Sequence, residues 1–198
     1  MALVPQISLS ISGKCNKFSA LDQTGPYHAL NNPGGWGTPN IDTADITESL
    51  VLIYDSTGAT LLETYDVTSV YAGVAGAPTP GASFVLINEE SWTQADGIYQ
   101  VKYKITDDPD IFWNETQHVL FTCNLCACMQ KLIHSLLEAC TSKETEKLKT
   151  QADQLEIFLY GIQCAFACGD FDTAEQILEK AALYCQTISD CGCGCGGC

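Results

Sequence analysis

Apolar and polar residues alternate along several short stretches of the first 122 residues, the pattern of half-buried β-strands. The clearest stretch is 97–105 (GIYQVKYKI), in which Tyr99, Val101, Tyr103 and Ile105 share one face. Similar stretches bounded by turn residues lie at 4–11, 47–54, 61–67, 83–87 and 111–122. Six or seven short strands of this kind predict an antiparallel β-sandwich of the immunoglobulin-like type.

After residue 122 the apolar residues recur every three or four positions, which predicts helices. The three stripes cover 123–140, 144–167 and 171–188. Gly169 is predicted to end the second helix as its C-cap residue. Asp170 or Asp172 is predicted to cap the third, and Glu175 would complete a capping box with Asp172. The short connection makes an antiparallel hairpin, so 123–190 is predicted to be a Cys-rich helical hairpin or three-helix segment.

Composition changes near residue 120, which predicts a domain boundary there. Only Cys15 of the twelve cysteines precedes residue 123, whereas all seven prolines precede residue 110. We therefore expect an α+β chain with a β-sandwich at 1–122, the helical segment at 123–190 and a Gly-Cys tail at 191–198. Segments 13–45 and 71–81 lack clear alternation and are predicted to be long loops, which commonly carry function or contact another subunit.

The charge balance excludes one large class of function. Nine basic residues, all of them Lys, stand against 24 acidic ones, so the net charge at pH 7 is −15. Arg is the usual reader of guanine and phosphate, and an acidic surface repels a DNA backbone instead of displacing its counterions. Sequence-specific nucleic-acid binding is therefore not expected, and neither is binding to anionic membranes.

The cysteines are expected to belong to a reducing compartment. No basic segment precedes an apolar run at the N-terminus, and the charge-free stretch 157–168 is too short to span a bilayer. Free thiols or metal ligands are then the expected states of the twelve cysteines. Cys140, Cys164, Cys168 and Cys185 have helical spacing and are predicted to be small core residues.

The strongest enzyme-like feature is CNLC at 123–126, which follows an apolar strand and begins a helix. A helix N-terminus lowers the pKa of a thiol, as dithiol exchange requires. A thioredoxin-like fold also needs further strands and a proline after this helix, and neither follows in the sequence. Small buried hydrophobic residues are therefore the favoured interpretation of these cysteines.

The C-terminal octapeptide CGCGCGGC holds four thiols, which is a full tetrahedral shell for zinc. These four are Cys191, Cys193, Cys195 and Cys198. A composite zinc site is an alternative, in which two tail thiols join Cys123 and Cys126 or Cys128. Without a metal, the tail would pack or cross-link against the helix ends or stay mobile.

Acid–base and nucleophilic catalysis have little support in the sequence. His28, His118 and His134 are scattered and stand in no zinc or triad motif. Acidic pairs such as Glu89-Glu90 adjoin turns, where solvated carboxylates are common. We therefore expect that the protein is not an enzyme.

The stretch 22–40, which includes NNPGGWGTPN at 31–40, and the stretch ITESLVLIYDSTG at 46–58 resemble small structural proteins of tailed bacteriophages, especially of the crAss-like group. In that group a β-sandwich with a Cys-rich helical segment recurs, and 123–128 and 169–198 look similar too. The resemblance implies a non-catalytic subunit of a ring stacked in the neck or tail, below the portal.

We therefore expect a virion structural protein, assembled in the host cytoplasm, that forms a homo-oligomeric ring or head–tail connector through which DNA passes. Its partners would be further copies and other neck, tail or portal proteins. Trp36 is the expected interface anchor, with Gly34, Gly35 and Tyr27 nearby; the alternative is that Trp36 packs over its own sandwich. Two alternatives stay open: a zinc- or thiol-dependent module that uses the Cys cluster, and a surface-binding sandwich domain.

Overall fold

The chain has an α+β fold, in which β-structure precedes three helices. The computed structural model describes residues 4–11, 17–24, 27–28, 41–43, 45–71, 84–91, 94–139 and 141–189. The chain divides into two compact units. The first is formed by 1–93 with 99–119, and the second by 94–98 with 120–198.

Eight strands of the first half form two antiparallel sheets. The first sheet contains β1 (Ile7–Ile11), β2 (Lys17–Asp22) and β7 (Phe84–Ser91). The second contains β5 (Ile46–Tyr54), β6 (Leu61–Asp66), β8 (Gly97–Asp107), β9 (Asp110–Trp113) and β10 (Gln117–Phe121). A short parallel pair is formed by β3 (Tyr27–His28) and β4 (Ile41–Asp42). The orders are β1-β2-β7 and β10-β8-β5-β6, with β9 also paired to β8.

Segment 13–45, predicted to be a loop, contains strand β2. Side chains at alternate positions of this strand, Phe18, Ala20 and Asp22, are buried. Because the third of them is a carboxylic acid, the alternation of apolar and polar residues is hidden in the sequence. Of the other predicted loop, 71–81, only Tyr71 lies within the described residues, where it follows a short 3-10 turn.

The stretch 111–122, predicted as one strand, is divided between β9 and β10 by Asn114. The backbone N–H of Asn114 donates to the carbonyl oxygen of Tyr103 at 3.0 Å, and its side-chain Oδ1 accepts the N–H of Tyr103 at 2.6 Å. The side chain thus takes the place of a backbone carbonyl next to β8. This exchange ends the regular ladder and explains why one apolar stretch becomes two strands.

The hairpin between β5 and β6 is closed by a turn that requires glycine. Gly58 has φ +72°, and an added Cβ there would collide with the side chain of Gln100. Hydrogen bonds from the side chains of Thr60 and Thr57 lower the pKa of Asp55 to about 2. The turn therefore contains a glycine in the left-handed region of backbone conformation and a carboxylate that is stabilised by hydrogen bonds from the same turn.

A cluster of buried polar side chains lies around Asp22, whose exposed fraction is 0%. Its Oδ2 accepts the hydroxyl of Tyr71 at 2.5 Å and that of Tyr103 at 3.4 Å, and its Oδ1 accepts the N–H of Thr24 at 2.7 Å. The two tyrosine hydroxyls are also hydrogen-bonded to each other, and Ser49 Oγ donates to Tyr103 at 3.1 Å. Because β2 and β8 belong to different sheets, this carboxyl group joins the two sheets.

The second half forms three helices, as the apolar periodicity predicts. They are α1 (Cys123–Glu138), α2 (Ser142–Ala167) and α3 (Phe171–Ser189). On α2 the buried residues are spaced by seven positions: Leu148, Leu155 and Ile162. They pack into a core with buried side chains of α1 and α3, including Leu132 and Leu178. None of the helices in the described part of the chain is long and apolar enough to cross a membrane.

The turn between α2 and α3 confirms Gly169 as the residue that ends α2, and it decides against the predicted capping box of Asp172 and Glu175. Gly169 has φ +76°, and its N–H donates to the carbonyl of Phe166 at 3.0 Å, while the next N–H donates to Ala165 at 2.9 Å. This is a Schellman C-cap. Asp170, and not Asp172, caps α3, because its Oδ1 accepts the N–H of Thr173 at 3.2 Å.

We predict that Asp22→Asn destabilises the β-sheet unit. The asparagine amide has one acceptor oxygen where the carboxylate has two. Its NH₂ group would face the Tyr71 or Tyr103 hydroxyl, which already donates, so buried polar groups would be left without hydrogen bonds. The expected loss in the free energy of unfolding is about 2–3 kcal/mol, measured by urea denaturation. Asp45→Asn, at an exposed aspartate, is the matched control and should stay within about 0.5 kcal/mol of wild type. Equal effects of the two changes would contradict a structural role for the Asp22 cluster.

A second prediction concerns alkaline pH. Burial, and next the charge of Asp22, raise the pKa of Tyr103 above its ordinary value of 10.0. The unfolded chain therefore loses this proton at lower pH than the folded chain. The stabilisation is complete below pH 10 and decreases as the pH rises beyond it, by at most about 1.4 kcal/mol per pH unit. Urea unfolding across this range should show a shallower decline for Tyr103→Phe, and parallel curves would refute the assignment.

Candidate assembly surface and cysteine sites

The structure places two of the predicted metal ligands and leaves the remaining site residues untested. Cys123 and Cys126 begin α1. Tyr27 lies in β3, and only its backbone is described. The other candidates lie outside the described residues: Gly34, Gly35, Trp36, Cys191, Cys193, Cys195 and Cys198. The interface at Trp36 and the zinc site of the tail therefore stay predictions.

The first turn of α1 is capped by Asp96. The N-cap residue Thr122 makes no capping hydrogen bond with its side chain. Instead the Asp96 carboxylate accepts the N–H of Asn124 at 2.9 Å with one oxygen and the N–H of Leu125 at 3.0 Å with the other. Both oxygens of one carboxylate are thus directed at the positive end of the helix dipole.

This cap bears directly on the hypothesis of dithiol exchange. In a redox-active Cys-x-x-Cys motif, the amides and the dipole of the helix N-terminus stabilise a thiolate. Here the amides of Asn124 and Leu125 already bind the Asp96 carboxylate. The arrangement favours a structural role for this end of α1 over a nucleophilic thiol.

Cys128 and Cys185 form a disulfide bond that connects α1 to α3. Their Cα atoms are 6.1 Å apart, and 57 positions separate them in the sequence. This pairing differs from the expectation that the cysteines are free thiols or metal ligands. It also removes Cys128 from the composite zinc site considered above and gives Cys185 a role as a cross-link.

Cys164 and Cys168 are exposed, so the prediction that they are core residues is wrong. The reason is the phase of α2. Its core is formed by Leu155 and Ile162, and a residue two positions after Ile162 is rotated by roughly 200° around the helix axis. Cys140, another of the four predicted core cysteines, precedes α2 and lies outside the described residues.

Exposed apolar side chains share this outer side of α2. Ile157 and Tyr160 are 63% and 70% exposed, and with Cys164 and Cys168 they follow the helix at spacings of three and four. A hydrogen bond to the Cys164 side chain, and next the charge of its thiolate, raise the pKa of Tyr160. We name these four residues the outer α2 face. It lies on the side of the helix opposite to the buried heptad.

The helical unit offers no assembled metal centre within the described residues, where no group of three or more His, Cys, Asp or Glu side chains could hold a metal ion. Of the thiols proposed as ligands, the structure offers Cys123 and Cys126, because Cys128 is in the disulfide. A zinc shell would need two more, and the remaining candidates are those of the tail.

No protein-family model matches the chain, and neither a curated protein nor a solved structure is similar to it. The function is therefore proposed from the resemblance of 22–40 and 46–58, together with the chain's own geometry and charge.

Sequence reasoning missed the outer α2 face and the disulfide, and only the outer α2 face is indicated by a pattern in the sequence. Residues 157–169 (IFLYGIQCAFACG) contain no charged side chain, although 17% of the chain is charged. Taken with the heptad Leu148, Leu155 and Ile162, this run implies an apolar outer face. The disulfide left no such signal, because spacing does not reveal which cysteines meet.

We predict that the disulfide stabilises the helical unit. Closing a loop of 57 residues removes conformational entropy from the unfolded chain that corresponds to about 4 kcal/mol. Cys185→Ser should lower the free energy of unfolding by this order, measured by urea unfolding followed by far-ultraviolet circular dichroism. A reductant should do the same to wild type and add nothing to the variant.

Cys168→Ser is the matched control, since Cys168 is exposed and is not part of a disulfide. It should unfold like wild type. If Cys168→Ser and Cys185→Ser behaved alike, the bond would have no role in stability.

Proposed function

We propose that this chain is a structural subunit of a tailed-phage particle that forms a homo-oligomeric ring or connector in the neck or tail, through which DNA passes. On this proposal it is not an enzyme. The resemblance of 22–40 and 46–58 to crAss-like structural proteins supports the assignment, as do the charge balance and the exposed edge of the second sheet.

The observation that carries the proposal is the edge strand β9. Ile111 and Trp113 project to one side of it and are 55% and 45% exposed. In register they lie opposite Thr106 and Lys104 of β8. Exposed edge strands invite pairing with another chain, and aromatic residues dominate the energetics of interfaces. An edge of this kind supports contact between neighbouring subunits.

The charge of the chain supports DNA passage. A phosphate backbone is held by Lys and Arg, which displace its counterions, and this chain has no Arg and a net charge of −15. Carboxylates repel phosphate, so a ring of such subunits would let DNA slide without sticking. The two antiparallel sheets also support the finer proposal of an immunoglobulin-like sandwich in the first unit.

Native mass spectrometry and negative-stain electron microscopy of the full chain test this function. We expect one closed ring of defined stoichiometry that does not retain duplex DNA, even at low salt. A monomer at every concentration would overturn the proposal. A monomer that carries zinc would favour the metal module, and a monomer that binds glycans would favour the surface-binding domain.

A further inference from the structure

We propose that the outer α2 face, formed by Ile157, Tyr160, Cys164 and Cys168, is the surface through which one copy of this chain contacts a second copy. The inference rests on the proposed homo-oligomer and identifies one of its contacts. It is independent of the β9 edge, which lies in the other unit.

The first argument is geometric. Relative to the buried Leu155, the four residues lie at roughly 140–220° around the helix axis. They therefore have no part in the core of the helical unit, and they extend over roughly 16 Å of the helix. An ordinary solvated helix carries charged and polar residues on this side.

The second argument is the distribution of charge along this side of α2. Glu146, Lys149, Asp153 and Glu156 are exposed on the N-terminal half, whereas 157–169 is free of charge. Depletion of charged residues, together with exposed aromatic and sulfur-containing side chains, is the compositional signature of the centre of an interface. The outer α2 face therefore has the composition of an interface and the exposure of a surface.

The identity of the partner follows from electrostatics. Two copies that each carry a charge of −15 repel each other across their charged surfaces. Such copies associate most readily where the surface is uncharged. A basic partner would instead gain the most electrostatic binding energy at acidic surfaces. The uncharged outer α2 face therefore favours a second copy as the partner.

Flanking charges define the direction of the pairing. Lys149 lies about three helical turns before Tyr160, and α2 ends about two turns after it, at the turn that contains Asp170. An antiparallel pairing of two α2 helices about Tyr160 therefore brings Lys149 of each copy to the acidic turn at Asp170 of the other. It also places Asp153 opposite Ala167, whereas a parallel pairing would place Asp153 opposite Asp153 and repel.

An antiparallel contact is isologous, so it joins copies in pairs. Closure of a ring then needs another contact, for which the β9 edge is available. Loss of the α2 contact and loss of the β9 contact therefore leave products of different mass. Native mass spectrometry can tell these two losses apart.

The test introduces a charge into the outer α2 face. Tyr160→Glu should raise the dissociation constant of the paired copies at least about tenfold, because the new carboxylate meets its own symmetry mate. Ile157→Lys is a second variant for the case that the first does not fold. Gln176→Glu adds the same charge at an exposed position of α3, outside this face, and should leave assembly unchanged. Circular dichroism confirms that each variant is helical.

Two readouts are combined: assembly mass by native mass spectrometry, and modification of Cys164 and Cys168 by a polar maleimide, located by peptide mapping. In wild type both thiols should be protected. In Tyr160→Glu they should react, and the assembly should break down to the copies that the β9 edge alone can hold.

The outcomes separate the two proposals. A wild-type dimer that becomes monomeric in Tyr160→Glu upholds this inference and overturns the ring. An unchanged assembly with reactive Cys164 overturns this inference and leaves the ring intact. A monomeric wild type overturns both.

Discussion

The first unit depends on the hydrogen bonds of one buried carboxyl group. Removing a carboxyl group from water costs several kcal/mol unless donors replace the lost hydration. Asp22 receives such donors from Thr24 on its own side and from Tyr71 and Tyr103 across the interior. Because these bonds form only when β2 and β8 are correctly aligned, they select one alignment of the two sheets. Tyr103 also fixes the position of β9, because its backbone N–H and carbonyl are both hydrogen-bonded to Asn114.

The helical unit obtains its stability from the inner side of its helices. The heptad of α2, the Schellman turn at Gly169 and the bond between Cys128 and Cys185 all act on the core or on the ends of the helices. None of them needs Ile157 or Tyr160, whose exposure adds nothing to folding stability and lowers solubility. The composition of the outer α2 face therefore fits the proposed association, and folding does not require it.

Local patterns in the sequence predict most of this architecture, and non-local contacts account for what they miss. Strands β5 and β8 and the three helices follow from periodicity, which depends only on neighbouring residues. Strand β2 was missed because the burial of Asp22 depends on Tyr71 and Tyr103, far away in the chain. The disulfide is likewise a contact between distant residues. Cys164 was placed in the core because cysteine counts as apolar, although the phase of α2 already points it outward.

The net charge of the chain limits the surfaces through which two copies can associate. With 24 acidic residues against nine lysines, repulsion between copies acts over a Debye length of about 8 Å at physiological ionic strength. Uncharged surface patches therefore bring two copies together at the lowest electrostatic cost. The outer α2 face contains no charged residue, whereas at β9 the apolar pair Ile111 and Trp113 lies next to the exposed Asp110 and opposite Lys104. On the proposed function, the same charge would keep DNA from adhering and would restrict assembly to a few contacts of low charge, selective for correctly oriented copies.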